Sequence, residues 1–130
     1  MERETSEEVS SEKRFQKAGM RCACLLYTSD TFHMNVEESN IPAAIRAAKG
    51  KIFDFHTCAN NRGTPGEDNF NWEAIAEAIK DAGYDEYCLI ESFTPDCKEI
   101  AKAASVWRPF AKSPEAIAEN GIPFLKKVFG

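Results

Sequence analysis

The sequence predicts an α/β protein in which about three parallel strands are covered by helices. Three observations support this prediction. Short apolar runs suited to buried strands occur at residues 24–29, 51–56 and 86–91. Amphipathic helical patterns lie between and after these runs, and the turn residues Gly50 and Gly83 separate the two kinds of segment. Because strands and helices alternate along the chain, we expect right-handed βαβ units and a parallel sheet.

The first two helices are predicted from apolar residues that recur at intervals of three and four positions. One helix begins at Asn40 or Ile41 and has Pro42 in its first turn, where the missing N–H costs no hydrogen bond. The other follows Asn71, whose side-chain oxygen can cap it, and ends at Gly83. Each of these helices therefore has one apolar face for a sheet to cover.

Two further helices are predicted in the last third of the chain. The first extends over residues 95–107, and its apolar side is formed by Ile100, Ala103, Ala104 and Trp107. The second begins with Ser113 as N-cap and Pro114 at the first helical position, and it continues toward Phe129.

Size and charge narrow the classes of function. At 130 residues the chain forms at most one domain, and 43% hydrophobic residues are enough for a core. The net charge of −5 argues against nucleic acid or an anionic membrane as the main partner. No apolar run approaches the roughly 18 residues of a membrane span. The acidic N-terminus does not resemble a signal peptide, so we expect a cytoplasmic protein.

The cysteines indicate a reducing compartment. Five are present, an odd number at irregular spacing: Cys22, Cys24, Cys58, Cys88 and Cys97. No pair has the spacing of a zinc knuckle, so we interpret all five as free thiols.

Asp30, His56 and Glu91 occupy equivalent positions, each at the carboxyl end of a predicted strand. In a parallel sheet these ends share one edge, so the three side chains can converge. Two carboxylates and an imidazole suit a divalent ion, with Mn²⁺ favoured, Mg²⁺ or Co²⁺ as alternatives, and Zn²⁺ still open. The alternative reading of each residue alone is a strand-end cap or a solvated charge.

From about residue 28 to 130 the sequence resembles the C-terminal half of the ketose 3-epimerases of the D-tagatose and D-psicose type. These enzymes belong to the xylose isomerase-like TIM barrels of sugar phosphate isomerases and epimerases. The resemblance rests on three motifs in the family's order and spacing: Asp30-Thr-Phe-His-Met-Asn-Val-Glu-Glu, Phe55-His-Thr-Cys-Ala-Asn-Asn-Arg-Gly-Thr-Pro-Gly and Tyr87-Cys-Leu-Ile-Glu-Ser-Phe.

The resemblance implies a partial (β/α)8 barrel, consisting of its last three βα units, and assigns roles to five residues. Asp30, His56 and Glu91 become metal ligands, and Glu91 also transfers the proton at C3 of the sugar. His33 and Arg62 contact the oxygens of a ketose or sugar phosphate near the reacting carbon. Proton removal beside a carbonyl gives an enediolate, whose charge a metal ion and cationic donors stabilise.

The sequence departs from the family in three respects. The family's fourth metal ligand, a glutamate that is also the second proton-transfer group, has no counterpart here. Ala59 stands where many relatives carry an acid. Residues 1–23 do not resemble the family, and we interpret them as a poorly ordered or chimeric segment before the barrel part at 24–130. We therefore expect a truncated fragment that is inactive alone, with homo-oligomerisation left open.

Two alternatives to a ketose 3-epimerase stay open. One is another enzyme of the same barrel superfamily, such as an inosose dehydratase or a hydroxypyruvate isomerase. The other is a non-catalytic fragment or partner-dependent module that binds metal without turnover.

Overall fold

The computed structural model describes residues 28–93, 98–103 and 106–130. Strands and helices alternate in this part of the chain, as predicted, with two consecutive helices between the first two strands and two after the last. In chain order the elements are β1 (Thr28–Asp30), α1 (Thr31–Glu37), α2 (Ile41–Ala47), β2 (Asp54–His56), α3 (Trp72–Ala82), β3 (Cys88–Leu89), α4 (Lys98–Ala103) and α5 (Pro114–Phe129).

The three strands form one parallel sheet in the order β1-β2-β3, which confirms the predicted class. The register places Asp30 opposite His56, and His56 opposite Leu89. The carboxyl ends of the strands therefore lie at one edge of the sheet. The strands are shorter than expected, since β2 begins at Asp54 and β3 has two residues. Residues 24–27 of the predicted first strand lie outside the described part.

Helix α1 was not predicted, and it begins directly where β1 ends. Asp30 is the last residue of the strand and also the N-cap of the helix, because its Oδ1 accepts a hydrogen bond from the backbone N–H of His33 at 3.1 Å. The turn of the chain at Asp30 thus fixes the carboxylate at the sheet edge.

Helices α2 and α3 begin and end close to where their capping residues predict. Asn40 and Asn71 are the N-caps, and their side chains accept from the backbone N–H groups of Ala43 and Ala74 at 2.9 and 3.0 Å. Gly83 ends α3 in the left-handed region, with φ of 74°. The first of these helices stops at Ala47.

The core lies between the sheet and the pair α2 and α3, which pack against each other. Phe55 is at its centre, with no exposed surface, and Ile45 and Ile75 lie in the same cluster. Because Phe55 faces the helices, its neighbours on β2 point to the opposite face of the sheet.

The predicted apolar face of the fourth helix is wrong. Ala101 is the buried residue of α4, whereas Ile100 and Trp107 are 45% and 84% exposed. The helix ends at Ala103, and the backbone N–H of Val106 donates to the carbonyl of Ala101 at 2.8 Å. Trp107 therefore lies beyond the last helical turn and does not share a face with Ile100. Ala104 lies outside the described residues.

Helix α5 confirms its predicted start. Ser113 is the N-cap, its hydroxyl accepts from the backbone N–H of Ala116 at 3.2 Å, and Pro114 is the first helical residue. The helix continues to Phe129 with Pro123 inside it. Of the cysteines, Cys58 and Cys88 are free thiols, as predicted, and the other three lie outside the described residues.

None of the helices in the described part of the chain is both long enough and apolar enough to cross a bilayer.

Replacement of Phe55 by alanine tests the core. We expect Phe55→Ala to lower the free energy of unfolding by about 3–5 kcal/mol, because it opens a cavity in a fully buried cluster. Phe53→Ala is the matched control, since Phe53 is 67% exposed and its loss should cost less than about 1 kcal/mol. Urea unfolding followed by circular dichroism measures both. Equal effects of the two substitutions would contradict the described burial of Phe55.

Candidate functional site

The side chains of Asp30, His56 and Glu91 come together at the carboxyl edge of the sheet. Each offers a ligand atom, and these atoms all lie within 4.8 Å of one another. Asp30 Oδ2 is 3.9 Å from Nδ1 of His56, and the same nitrogen contacts Oε2 of Glu91. The three residues that the sequence placed at strand ends are thus within the reach of one cation.

The carboxylate of Asp30 is arranged to meet a positive charge. The residue is 7% exposed, and while Oδ1 caps α1, Oδ2 is buried without a hydrogen-bond partner. Burial raises the pKa of Asp30, although the backbone N–H of His33 and the charge of Arg62 oppose the shift. Such a buried oxygen costs free energy, and a bound cation would supply the missing partner. The site therefore fits a divalent ion.

The imidazole of His56 lies between carboxylates on both sides. Nδ1 faces Glu91 and Asp30, whereas Nε2 donates to Oδ2 of Asp54 at 3.0 Å. Burial by itself lowers the pKa of His56, but the hydrogen bond that Glu91 accepts from the ring and the charge of Asp54 outweigh it, so that the pKa is raised. A cation that binds at Nδ1 therefore competes with a proton for this nitrogen.

Arg62 lies inside the site rather than on an exposed loop. The residue is 5% exposed, and its Nη1 is 3.8 Å from Oδ2 of Asp30 and 3.5 Å from Oε1 of Glu91. Its guanidinium stacks on the ring of Phe32, 3.7 Å from the centroid, and lies 5.2 Å from the centroid of Phe93. The two aromatic rings thus hold the positively charged guanidinium of Arg62 next to the carboxylates of Asp30 and Glu91.

The backbone at Arg62 is strained, since its φ of 64° is in the left-handed region that favours glycine. Two hydrogen bonds hold it there. The N–H of Arg62 donates to the carbonyl of Ala59 at 2.9 Å, and the N–H of Phe93 donates to the carbonyl of Arg62 at 3.3 Å. Ser92 adds a third link, because its hydroxyl donates to the carbonyl of Gly63 at 2.7 Å. The loop after β2 is therefore fastened to the segment after β3.

Two threonines connect the three strand ends. The backbone N–H of Cys58 donates to the hydroxyl of Thr31 at 2.8 Å, which joins α1 to the loop after β2. The hydroxyl of Thr57 donates to the carbonyl of Leu89 at 2.9 Å, which joins this loop to β3. Both threonines are fully buried, so these bonds set the spacing between the strand ends.

His33 lies at the exposed side of the site. Nη2 of Arg62 donates to Nε2 of His33 at 3.3 Å, and the ring of Phe32 meets that of His33 edge to face. Of the two residues that the resemblance assigned to substrate oxygens, Arg62 thus adjoins Asp30 and Glu91, and His33 lies against Arg62 toward solvent.

Family membership follows from comparison with known proteins. The family model described as "Xylose isomerase-like TIM barrel" matches residues 21–128. The chain belongs to this family. The three parallel strands with their helices agree with that barrel type, as the resemblance predicted.

This xylose isomerase-like chain is similar to ketose 3-epimerases. It is 40% identical over 108 residues to a probable ketose 3-epimerase of Synechocystis, matching 83% of this chain and 38% of the relative. It is 35% identical over 106 residues to a D-psicose 3-epimerase of Enterocloster bolteae, matching 78% and 35%. The chain thus spans little more than a third of the length of these relatives.

Solved structures show the same relationship. An L-ribulose 3-epimerase structure superposes with a TM-score of 0.74 at 33% identity, over 78% of this chain and 35% of that one. A D-psicose 3-epimerase solved in the presence of D-fructose gives a TM-score of 0.71 at 31% identity, over 79% and 37%.

Sequence reasoning missed two residues of this barrel-type site. Asp54 lies two positions before His56, and the two-residue period of a strand could have placed both on one face. Phe32 lies between Thr31 and His33, but no local signal indicates that its ring meets the guanidinium of Arg62, thirty residues later. The contact depends on the loop that carries Arg62.

The thiol of Cys58 provides a test of how closed this region is. Burial and the charge of Asp30 raise the pKa of Cys58 to about 12. We expect iodoacetamide at pH 8 to label Cys58 at least about 100-fold more slowly in the folded chain than in 8 M urea, because only the thiolate reacts. Peptide mapping by mass spectrometry identifies the labelled cysteine. Rapid labelling of Cys58 in the folded chain would contradict its burial.

Proposed function

We propose that this chain carries part of the active site of a divalent-metal-dependent ketose 3-epimerase. The observation that supports this most directly is the convergence of Asp30, His56 and Glu91, whose ligand atoms lie within 4.8 Å of one another. The similarity to D-psicose and L-ribulose 3-epimerases agrees with such chemistry.

Asp30, His56 and Glu91 would hold the ion. Two carboxylates and one imidazole are suited to Mn²⁺, with Mg²⁺ or Co²⁺ as alternatives. When bound, the ion supplies Lewis-acid stabilisation of the negative charge that develops on the sugar oxygens. The buried, unpartnered Oδ2 of Asp30 supports this use of the site.

Glu91 has the proton-transfer role in this proposal. Its side chain is one-third exposed, and the nearby Arg62 and His56 keep it directed to the centre of the site. A carboxylate there can remove the proton from C3 of a ketose beside the carbonyl. Arg62 and His33 donate to the oxygens of the resulting enediolate, because their side chains lie beside each other at the same edge.

The charge around the site favours a neutral ketose over a sugar phosphate. In the described part of the chain, Arg62 is the arginine of the site, and both Asp30 and Glu91 lie within 4.0 Å of it. Asp54 adds a third carboxylate on the other side of His56. With a divalent ion bound, the ion and Arg62 together only balance these three carboxylates, so the described residues leave no excess positive charge to attract a phosphate.

Epimerisation requires an acid on one face of the carbon and a base on the other. Among the described residues Glu91 is the glutamate at the site, and the resemblance expects a second one on an earlier strand. We therefore expect this chain alone to exchange no proton at C3.

Binding of Mn²⁺ tests the metal site. We expect Mn²⁺ at about 100 times its Kd to stabilise the fold by about 2.7 kcal/mol, measured as a rise in Tm. Asp30→Asn should abolish this rise, because the amide still caps α1 but brings no charge. Asp81→Asn is the control, since Asp81 pairs with Arg46 on the outer helices.

The same measurement should depend on pH. The raised pKa of His56 means that its contribution to stability is present at low pH and is lost as the pH rises through the folded pKa. The raised pKa of Asp30 acts in the same direction, since ionisation of the buried carboxyl destabilises the metal-free fold. The gain in Tm from Mn²⁺ should therefore grow from pH 5.5 to pH 8. A constant gain in Tm, or the same gain with Asp30→Asn, would contradict the proposed ligands.

A chimera tests the chemistry. Residues 28–130 would replace the matching segment of the Synechocystis relative, and deuterium from solvent would be followed into C3 of D-fructose by NMR. We expect exchange by the chimera, and a loss of at least about 100-fold with Glu91→Gln, because the amide cannot take the proton. Glu86→Gln, an exposed glutamate near the same strand, should change the rate little. A well-folded chimera that binds Mn²⁺ but exchanges no deuterium would overturn the epimerase assignment.

A partner-dependent module that binds metal without turnover is the second candidate. It is favoured by the large apolar residues exposed at or beside β2 and β3, which are Phe53, Tyr87 and Leu89 at 67%, 84% and 47%. Exposed apolar groups close together are typical of surfaces that another protein surface covers.

A further inference from the structure

Asp54 contacts the outer nitrogen of the proposed histidine ligand. Its Oδ2 accepts a hydrogen bond from Nε2 of His56 at 3.0 Å. The two residues are separated by one position on β2, so they lie on the same face of the sheet, while Phe55 between them enters the core. No other residue in the described part of the chain is seen to accept from this nitrogen.

The inner nitrogen of the same ring faces the other carboxylates. Nδ1 of His56 contacts Glu91 and is 3.9 Å from Oδ2 of Asp30. An ion held by these residues must therefore use the Nδ1 lone pair. That lone pair is free only in the tautomer that carries its proton on Nε2.

Backbone pairing alone does not fix the ring orientation or the tautomer of His56. β2 is paired on both sides, which fixes the main chain of His56, yet the ring can still turn about its Cβ–Cγ bond. A half-turn would exchange Nδ1 with a carbon atom and remove Nε2 from Asp54. Glu91 cannot hold the ring when it is itself a ligand, so Asp54 is the acceptor that stays with the imidazole.

We propose that Asp54 is a positioning residue that fixes the ring orientation and the tautomer of His56, so that Nδ1 is presented to the divalent ion. The inference rests on the proposed function, since it concerns the same metal site. Carboxylates that orient a histidine ligand through its second nitrogen commonly raise metal affinity by 10- to 100-fold.

Metal affinity is the first readout. Isothermal titration of the chain with MnCl₂ would compare the wild type with three variants. Asp54→Ala should weaken Mn²⁺ binding by about 10- to 100-fold. Asp54→Asn should lose less, because its amide oxygen still accepts from Nε2. Asp85→Ala is the matched control, an exposed aspartate whose loss changes the net charge equally.

The ring itself is the second readout, which a merely structural effect would not change. The chain has two histidines, so imidazole nitrogen signals of ¹⁵N-labelled protein are assigned with one His33→Gln variant. With the diamagnetic ion Cd²⁺ bound, the wild type should show a single form of His56 with metal on Nδ1 and a proton on Nε2. Asp54→Ala should add a second form, and Asp54→Asn should restore the first.

The outcomes separate this inference from the proposed function. Wild-type chain that binds neither Mn²⁺ nor Cd²⁺ would overturn the metal site and the inference with it. If the wild type binds but Asp54→Ala binds equally well and leaves one form of His56, the inference alone is overturned. A drop in Tm of Asp54→Ala with unchanged imidazole signals would also overturn it, since Asp54 would then act only on the fold.

Discussion

The parallel pairing of three short strands is the constraint on which the rest of the structure depends. Neighbouring strands lie about 4.8 Å apart, and the register sets Asp30 beside His56 and His56 beside Leu89. Glu91 follows two residues later on the same side. Three residues far apart in the sequence are thus brought close enough for one cation to contact all of them. A shift of one residue in the register of a strand would turn its side chain to the other face of the sheet.

The site concentrates charge that a protein interior does not favour. Asp30 and Arg62 are almost fully buried, with the Asp30 Oδ2 and the Arg62 Nε left without hydrogen-bond partners. Arg62 also has a backbone conformation unusual for its type. Strain and unpaired polar atoms cluster where function is expected, and the buried threonines and the paired strands hold them in place. The arrangement is stable only because the surrounding loops are fixed by several hydrogen bonds.

Membership of the xylose isomerase-like TIM barrels explains why the polar residues lie at this edge. In such barrels the carboxyl ends of the strands carry the chemistry, while the opposite ends serve stability. The chain matches little more than a third of the length of its relatives. Its sheet has exposed apolar residues beside the polar edge. The family and the parallel sheet were both predicted from the sequence, and both predictions are confirmed.

Local sequence was enough to predict the helices that begin with a capping residue, as at Asn40, Asn71 and Ser113, because capping is a local interaction. It also placed Asp30, His56 and Glu91 at strand ends, since apolar runs stop there. Tertiary packing determines that Arg62 is buried, that Asp54 faces His56, and that Ala101 is buried rather than Ile100. Burial and ring orientation depend on neighbours from distant parts of the chain, and no local pattern of residues records those contacts.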